Sequence, residues 1–376
     1  MLERIRHMLR KEFLQTMRDW RMAGMVFIAP VIQVCIFGYV ATTDVRHVET
    51  AVFDLDNTQA SRQLVARFVG SGYFDVIEHV TDEARARDIM DRGQASAILR
   101  MNTGFEDDLR AGRTAELQVI VDGTDSNTGG IVLSYAARIV EQYSEEVLDS
   151  RVARLTGSPP RVGKVELQVR AWFNENLESR NYYLPGVMAN LLFLIPLVLT
   201  SMAIVREKEI GTMEQILVTP IRPTEFILGK TVPFALIGFF DVIAITAFGV
   251  LWFSIPVRGS VLLLLACSGL YLMTGLSIGL LISTVSRTQQ QAMMTTFFFT
   301  LPAILLSGFM FPIANMPPAI QALTYVDPLR YFLVIIRGIY LKGLGASVLW
   351  PQMCALALMG VATLWLAVRR FRKTLK

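Results

Sequence analysis

Cysteine, histidine and charge are all scarce in this 376-residue chain, and each scarcity removes a class of protein. The three cysteines, Cys35, Cys267 and Cys354, lie inside apolar runs, so no disulfide framework is expected. His7, His47 and His79 are isolated along the sequence. A metal centre needs several clustered ligands, so these histidines read as surface residues and no metal is expected. Charged residues make up 18% of the chain, against about 25% in an average soluble domain. A phosphate-cradling Gly-x4-Gly-Lys-Ser/Thr loop is also missing. The nearest approach is Gly229-Lys230-Thr231, where Thr224 stands in place of the first glycine and the segment opens an apolar run. Such a loop works through glycine backbone amides ahead of a helix. The chain is therefore expected to hold no ATP-hydrolysing engine and no cofactor of its own.

Apolar sequence fills the space left by charge. Hydrophobic residues account for 53% and the mean hydropathy is +0.44, too apolar for a soluble globule of this length. The same numbers exclude disorder, collagen and a simple coiled coil. The net charge of +4 would suit an acidic partner, but it is an average over two unlike parts. Residues 42–183 hold 16 Lys/Arg and 23 Asp/Glu, whereas the remainder holds 20 and 9. A nucleic-acid binder gathers its base on one polar face. Here the base flanks apolar runs, so nucleic acid is excluded as a partner.

Six apolar runs are long enough to be candidate spans: residues 22–41, 184–205, 231–253, 260–283, 293–310 and 348–368. The fifth is the shortest and contains Pro302. With a cytoplasmic N-terminus, the inner pieces 1–21, 206–230, 284–292 and 369–376 carry 16 Lys/Arg. The short outer pieces 254–259 and 311–347 then carry only Arg258, Arg330, Arg337 and Lys342. The positive-inside rule accordingly places both termini in the cytoplasm and residues 42–183 outside. The first run follows a long basic lead and has no clean small-residue cleavage site at Val40–Thr43, so it reads as an uncleaved span. In that lead, Leu2, Ile5, Leu9, Phe13, Met17 and Trp20 share one helical stripe, with the basic residues off it. This pattern predicts an amphipathic helix lying on the membrane over 1–21.

The outer insert alternates short apolar strands with polar helices. Strands are predicted at Ala51–Leu55, Phe74–Glu78, Ala95–Leu99, Leu117–Val121 and Lys164–Trp172. Helices are predicted at Gln59–Phe68, Asp82–Arg92 and Phe105–Ala111, and a long one at Thr124–Leu155 broken near its start by Gly129–Gly130. The fold class is thus a helical membrane protein with a soluble mixed α/β insert. The pairs Asp54–Asp56 and Asp122–Asp125 could hold a cation, but turn and cap roles are the ordinary reading.

After the second run the chain reads Arg206-Glu207-Lys208-Glu209-Ile210-Gly211-Thr212-Met213-Glu214-Gln215-Ile216-Leu217-Val218-Thr219-Pro220. Thr212 and Gln215 have capping-box spacing, Met213, Ile216 and Leu217 share a face, and Thr219–Pro220 discourages continuation. A short helix with one apolar face next to the membrane suits docking into a groove on a partner. A merely topogenic loop would need the base but not Glu207, Glu209 and Glu214.

This loop resembles the signature of ABC-2 type transporter permeases, in which charged residues lead into a Gly-Thr-x-Glu segment ending at Thr-Pro. Tyr182–Gly186, Glu225–Lys230, Leu280–Arg287 and Ser307–Pro312 resemble the same family, and the likeness covers nearly the whole chain. It is greatest for the bacterial drug-efflux branch with a large periplasmic domain. The resemblance implies six transmembrane helices in the ABC-2 (type V) exporter architecture and a dimer with a second permease chain. It also implies a separate ABC ATPase subunit that binds ATP and Mg. Carried over by position, Glu207, Glu209, Gly211, Thr212, Glu214, Gln215, Ile216 and Leu217 would belong to the coupling helix. Residues 311–347, with Pro312, Pro317, Pro318 and Pro328, would be the outer re-entrant helices before the last span. The implied cargo is a small amphipathic compound, drug-like or lipid-like, leaving the cytoplasm or inner membrane. The outer domain is large enough to meet a periplasmic adaptor and an outer-membrane channel.

Polar residues inside the spans are candidates for the translocation path or for span packing: Asp241 first, then Asn190 and Gln33. Gly275-x3-Gly279 permits close helix packing. Two other classes compete with an exporter. A receptor or phage-attachment protein would use the outer domain and need no ATPase. An ion-driven secondary transporter would show internal repeats and several buried charges, of which only Asp241 is clear.

Overall fold

The computed structural model describes residues 9–11, 13–14, 18, 24–40, 45, 47–156, 172–174, 178–212 and 223–374. The chain divides into two compact units, Thr43–Val169, and Met1–Thr42 with Arg170–Lys376. Residues 9–11 and 13–14 of the lead are helical; most of the expected 1–21 helix lies outside the described residues. A π-helical turn at Gly24–Ile28 runs into α1 (Ala29–Val40).

The Thr43–Val169 unit follows the predicted alternation closely. Its elements are β1 (Val48–Asp54), α2 (Gln59–Gly70), β2 (Phe74–His79), α3 (Glu83–Asp91), β3 (Ala97–Met101), α4 (Phe105–Ala111), β4 (Leu117–Val121) and α5 (Ser126–Thr156). The sheet order is β2-β1-β3-β4, with β1 parallel to both neighbours and β4 antiparallel to β3. The third strand starts at Ala97 because Thr50–Asp54 pairs with Ala97–Met101. Side chains alternate between two cores. Val48, Val52, Ala97 and Leu99 pack with Phe68, Phe105, Val132 and Tyr143. Ala51, Phe53 and Ile98 pack on the other face with Ala86 and Ile89 of α3. Central strands covered by helices on both faces need near-continuous apolar sequence, and β1 and β3 supply it.

One expectation for this unit is revised, and the ordinary reading of its aspartates holds. Helix α5 runs unbroken through Gly129–Gly130. Each glycine costs about 1 kcal/mol in a helix, and burial of Val132, Ala136, Ile139 and Tyr143 offsets that cost. The four candidate cation-binding aspartates serve turns and caps. Asp54 accepts from the amides of Asp56 and Asn57 and from Ser61 Oγ. Asp56 Oδ1 accepts from Gly104 N (2.8 Å) and Phe105 N (3.1 Å), and its Oδ2 from Glu106 N (3.0 Å), capping α4 from a distant loop. Asp122 and Asp125 accept from amides two or three residues ahead. No metal-holding group occurs among the described residues. The expected strand at 164–172 lies outside them except for Trp172.

The second unit is helical: α6 (Ser179–Ile210), α7 (Pro223–Phe253), α8 (Val261–Val285), α9 (Gln289–Leu306), α10 (Pro318–Leu323), α11 (Pro328–Arg337) and α12 (Ala346–Thr374). Among the described residues, α6, α7, α8 and α12 are long and apolar enough to cross a membrane. They match four of the six expected spans and run beyond them into polar sequence. The first expected span, 22–41, is represented by the shorter apolar helix Val26–Val40. The fifth, 293–310, is represented by α9, whose 18 residues begin with three glutamines. Within 311–347, the helical stretches Pro318–Val326 and Pro328–Lys342 meet at 83°. Asp327 caps the second of them through Leu329 N (3.0 Å).

Helix α6 is the hub. In its most apolar stretch 83% is buried, against 17% for α12. Phe298, Leu358 and Trp365 are exposed, as lipid-facing side chains are. Gly279 of α8 lets α6 approach closely, since a Cβ there would stand 2.8 Å from the Leu197 carbonyl oxygen. At Gly275 an added Cβ would find ordinary contact with Phe193 at 3.4 Å. The small-residue pair therefore serves packing within the chain.

Two outcomes are expected. Gly279→Val should destabilise the purified protein by about 1–3 kcal/mol through overpacking, while Gly275→Ala should be nearly neutral. Thermal unfolding in detergent measures both, and equal effects would refute the close-approach account. Burial opposes ionisation of Asp56, yet the bonds from Thr58 and the amides of Glu106, Gly104 and Phe105 outweigh it and hold its pKa below the ordinary value. Its contribution is therefore present above the ordinary aspartate range and lost as pH falls through the depressed folded value. Asp56→Asn should weaken the start of α4 by about 1 kcal/mol, read as faster amide exchange at residues 104–106 at neutral pH.

Candidate functional site

The last turn of α6 gathers the charges singled out in the sequence. The helix stops at Gly211, whose φ of +81° lies in the left-handed region that glycine adopts freely. Successive helical residues point about 100° apart. Three consecutive charged side chains before that stop therefore reach three different neighbours.

Glu207 is buried, with 5% of its surface exposed. Lys230 of α7, itself 2% exposed, donates to Glu207 Oε1 at 2.7 Å. Lys11 of the lead donates to the same oxygen at 3.2 Å. Thr212 Oγ1 donates to Oε2 and also to the Glu207 carbonyl at 3.3 Å. A buried carboxylate is tolerable only when paired and hydrogen-bonded. Here the pairing ties together the lead, the end of α6 and the start of α7.

Lys208 turns to α8. Its Nζ donates to the carbonyls of Ser283 (3.5 Å) and Thr284 (3.2 Å) in the last turn of that helix. A cation there meets unpaired carbonyls and the negative end of the helix dipole. Glu209 turns to α9. Its Oε2 accepts from Gln289 Nε2 at 2.7 Å and from the Gln289 amide at 3.3 Å. An anion at a helix start is favoured for the converse reason. Ser283 Oγ also accepts from the amides of Ile204 and Val205, each at 3.2 Å. Beneath the charges, Ile204, Phe226, Ile227, Leu280 and Ala367 form an apolar cluster joining α6, α7, α8 and α12. A shift in the last turn of α6 would thus act on the lead and on α7, α8 and α9 at once.

Of the residues proposed for coupling, Glu207, Glu209, Gly211 and Thr212 sit at this junction. Glu214, Gln215, Ile216 and Leu217 fall at 213–222, outside the described residues. Lys230, Lys11, Ser283 and Gln289 were not anticipated as members. Lys230 belonged to the failed phosphate-loop match, and that segment is helical within α7, which is no phosphate cradle. Its position just outside an apolar run on the same side as Glu207 was the available signal. Asp241 is buried with no partner for Oδ2 among the described residues, and Asn190 Oδ1 is likewise unpartnered. Gln33 is half-buried on α1. No hydrogen bond joins these three among the described residues.

Residues 20–369 match the family model described as ABC-2 family transporter protein. The chain is 32% identical over 373 residues to the probable multidrug ABC transporter permease YbhR of Escherichia coli (strain K12), covering 99% of each chain. It is 32% identical over 378 residues to the probable multidrug ABC transporter permease YbhS of the same organism, covering 98% of this chain and 97% of that one. It is 29% identical over 372 residues to the inner membrane transport permease YhhJ, covering 97% and 96%. With this match over residues 20–369 and these full-length relatives, the chain belongs to the ABC-2 family of transporter membrane proteins.

Proposed function

We propose that this chain is the permease subunit of an ATP-driven exporter in a bacterial inner membrane, moving a small amphipathic compound, drug-like or lipid-like, outward. Two such chains would form a six-plus-six-span path of the type V kind, with both termini cytoplasmic and residues 42–183 outside. ATP and Mg would be bound and hydrolysed by a separate ABC ATPase. The multidrug names of the relatives support the cargo class, and the basic excess of the inner pieces supports the orientation. Asp241, Asn190 and Gln33 would serve the path or span packing. The unpartnered oxygens of the first two support a polar role there. Residues 311–347 would close the path on the outer side, and an adaptor and outer-membrane channel would meet the outer domain.

The observation that carries the reading is the wiring of the last turn of α6. Glu207, Lys208 and Glu209 connect it to the lead, α7, α8 and α9, immediately before the 213–222 segment. A partner pushing on that segment would move four elements through bonds of about 3 Å. A loop that only set topology would need no such connections.

Gly211→Pro replaces a φ of +81° with a residue locked near −65°. In inverted vesicles containing the ATPase, this variant and Glu214→Ala should each lower ATP-driven transport by about tenfold or more, equivalent to 1.4 kcal/mol or more on the coupled step. Intact transport in both would sink the coupling role. Lys230→Met should cost about 3 kcal/mol of stability by removing a buried partner of Glu207. Combining it with Glu207→Gln should cost less than the two single losses together, measured by thermal unfolding in detergent. Strict additivity would show that the pair is not coupled.

A further inference from the structure

At the end of α6 remote from Glu207, a cavity of about 470 Å³ opens between the start of α6, the turn after α9, and α11 with the turn that follows it. Its lining carries three cations, Arg330, Arg337 and Lys342, and no carboxylate. None of the three makes a carboxylate ion pair within 4 Å among the described residues; Asp327, outside the lining, acts on Arg330 only at longer range. The remaining walls are largely apolar, with Leu333, Val334 and Leu341 prominent.

Both arginines are positioned by aromatic rings. The Arg337 guanidinium stacks on Tyr182, 3.8 Å from the ring centroid, and its Nη1 reaches the Gly308 carbonyl at 3.5 Å. Its Nε and Nη2 have no hydrogen-bond partner among the described residues. Those two nitrogens form the edge of the guanidinium that takes an oxyanion through two parallel bonds. Arg330 stacks on Tyr325 at 3.9 Å and donates to Thr324 Oγ1 through Nη1. Unpaired buried donors are costly, and three like charges around one cavity repel each other. A net anion between them would relieve both costs, and the apolar walls suit an attached hydrocarbon chain.

We propose that this cavity binds the phosphate headgroup of a net-anionic amphiphile. The proposal uses the membrane placement of the chain but not its coupling to an ATPase, so its test needs neither ATP nor transport.

The full-length protein would be purified in mild detergent with equal amounts of phosphatidylglycerol and phosphatidylcholine, and retained lipid counted by native mass spectrometry. The unaltered protein should retain phosphatidylglycerol preferentially. Arg330→Gln with Arg337→Gln should lower that retention about tenfold, the loss of about 1.4 kcal/mol of binding. Arg337→Lys, which keeps charge but loses the two-bond edge, and Lys342→Gln, at the exposed rim, should each lower it by a smaller factor. These milder variants keep the test decisive if the double variant fails to fold. An arm with excess inorganic phosphate separates the sources. Undiminished retention supports the amphiphile, and full displacement would overturn it in favour of a soluble phosphate. Equal retention of the two lipids would overturn the proposal. So would unchanged phosphatidylglycerol retention in both Arg337→Lys and Lys342→Gln.

Discussion

A carboxylate with almost no access to solvent sets the constraint on which the helical unit depends. Glu207 is buried beside an equally buried Lys230 at 2.7 Å. Placing two charges in a poorly polarisable surrounding is costly, and a close, well-oriented pair recovers that cost only with further hydrogen bonds. Lys11 and Thr212 provide them. The end of α6 and the start of α7 are consequently specified together, because separating them strands two buried charges, while the lead joins through the more exposed Lys11. An apolar junction of the same shape would tolerate sliding; this one does not.

The same end of the bundle uses helix ends as binding partners for charge. Lys208 meets the last carbonyls of α8 and Glu209 the first amide of α9. These groups have no partner inside their own helices, so the cross-helix bonds fill a need that every helix terminus has. Charge identity is matched to terminus polarity at both contacts. At the opposite end of α6 the arrangement differs in kind. There the cations around Arg337 have aromatic and carbonyl contacts but no carboxylate ion pair among the described residues.

Much of this was legible in the residues. Short apolar runs between polar helical stretches placed β1, β2 and β4 to within a few positions, because strands packed under helices have to carry apolar sequence. The four long spans were visible as apolar runs, but their helices extend further. Helix α6 covers Ser179–Ile210 although its apolar run is 184–205, since backbone hydrogen bonding continues where hydrocarbon ends. Glu207 and Glu209 stood out because acids are rare in the basic frame. Lys230 did not, because a lysine beside a span satisfies the positive-inside rule without further explanation. Its pairing with Glu207 joins residues 23 apart through tertiary structure alone. Gly129–Gly130 misled for a similar reason: local propensity favoured a break, and burial along α5 overrode it.

The contact between Gly279 and the Leu197 carbonyl has a consequence for how such a bundle can switch. Switching seams are bistable: side chains interlock in one register, then in another, with similar energy. Where a bare Cα rests against a backbone oxygen, that contact has no rotamers to exchange. Sliding α6 past α8 would press the larger neighbours of Gly279 against the Leu197 carbonyl, so the seam resists a change of register at this point.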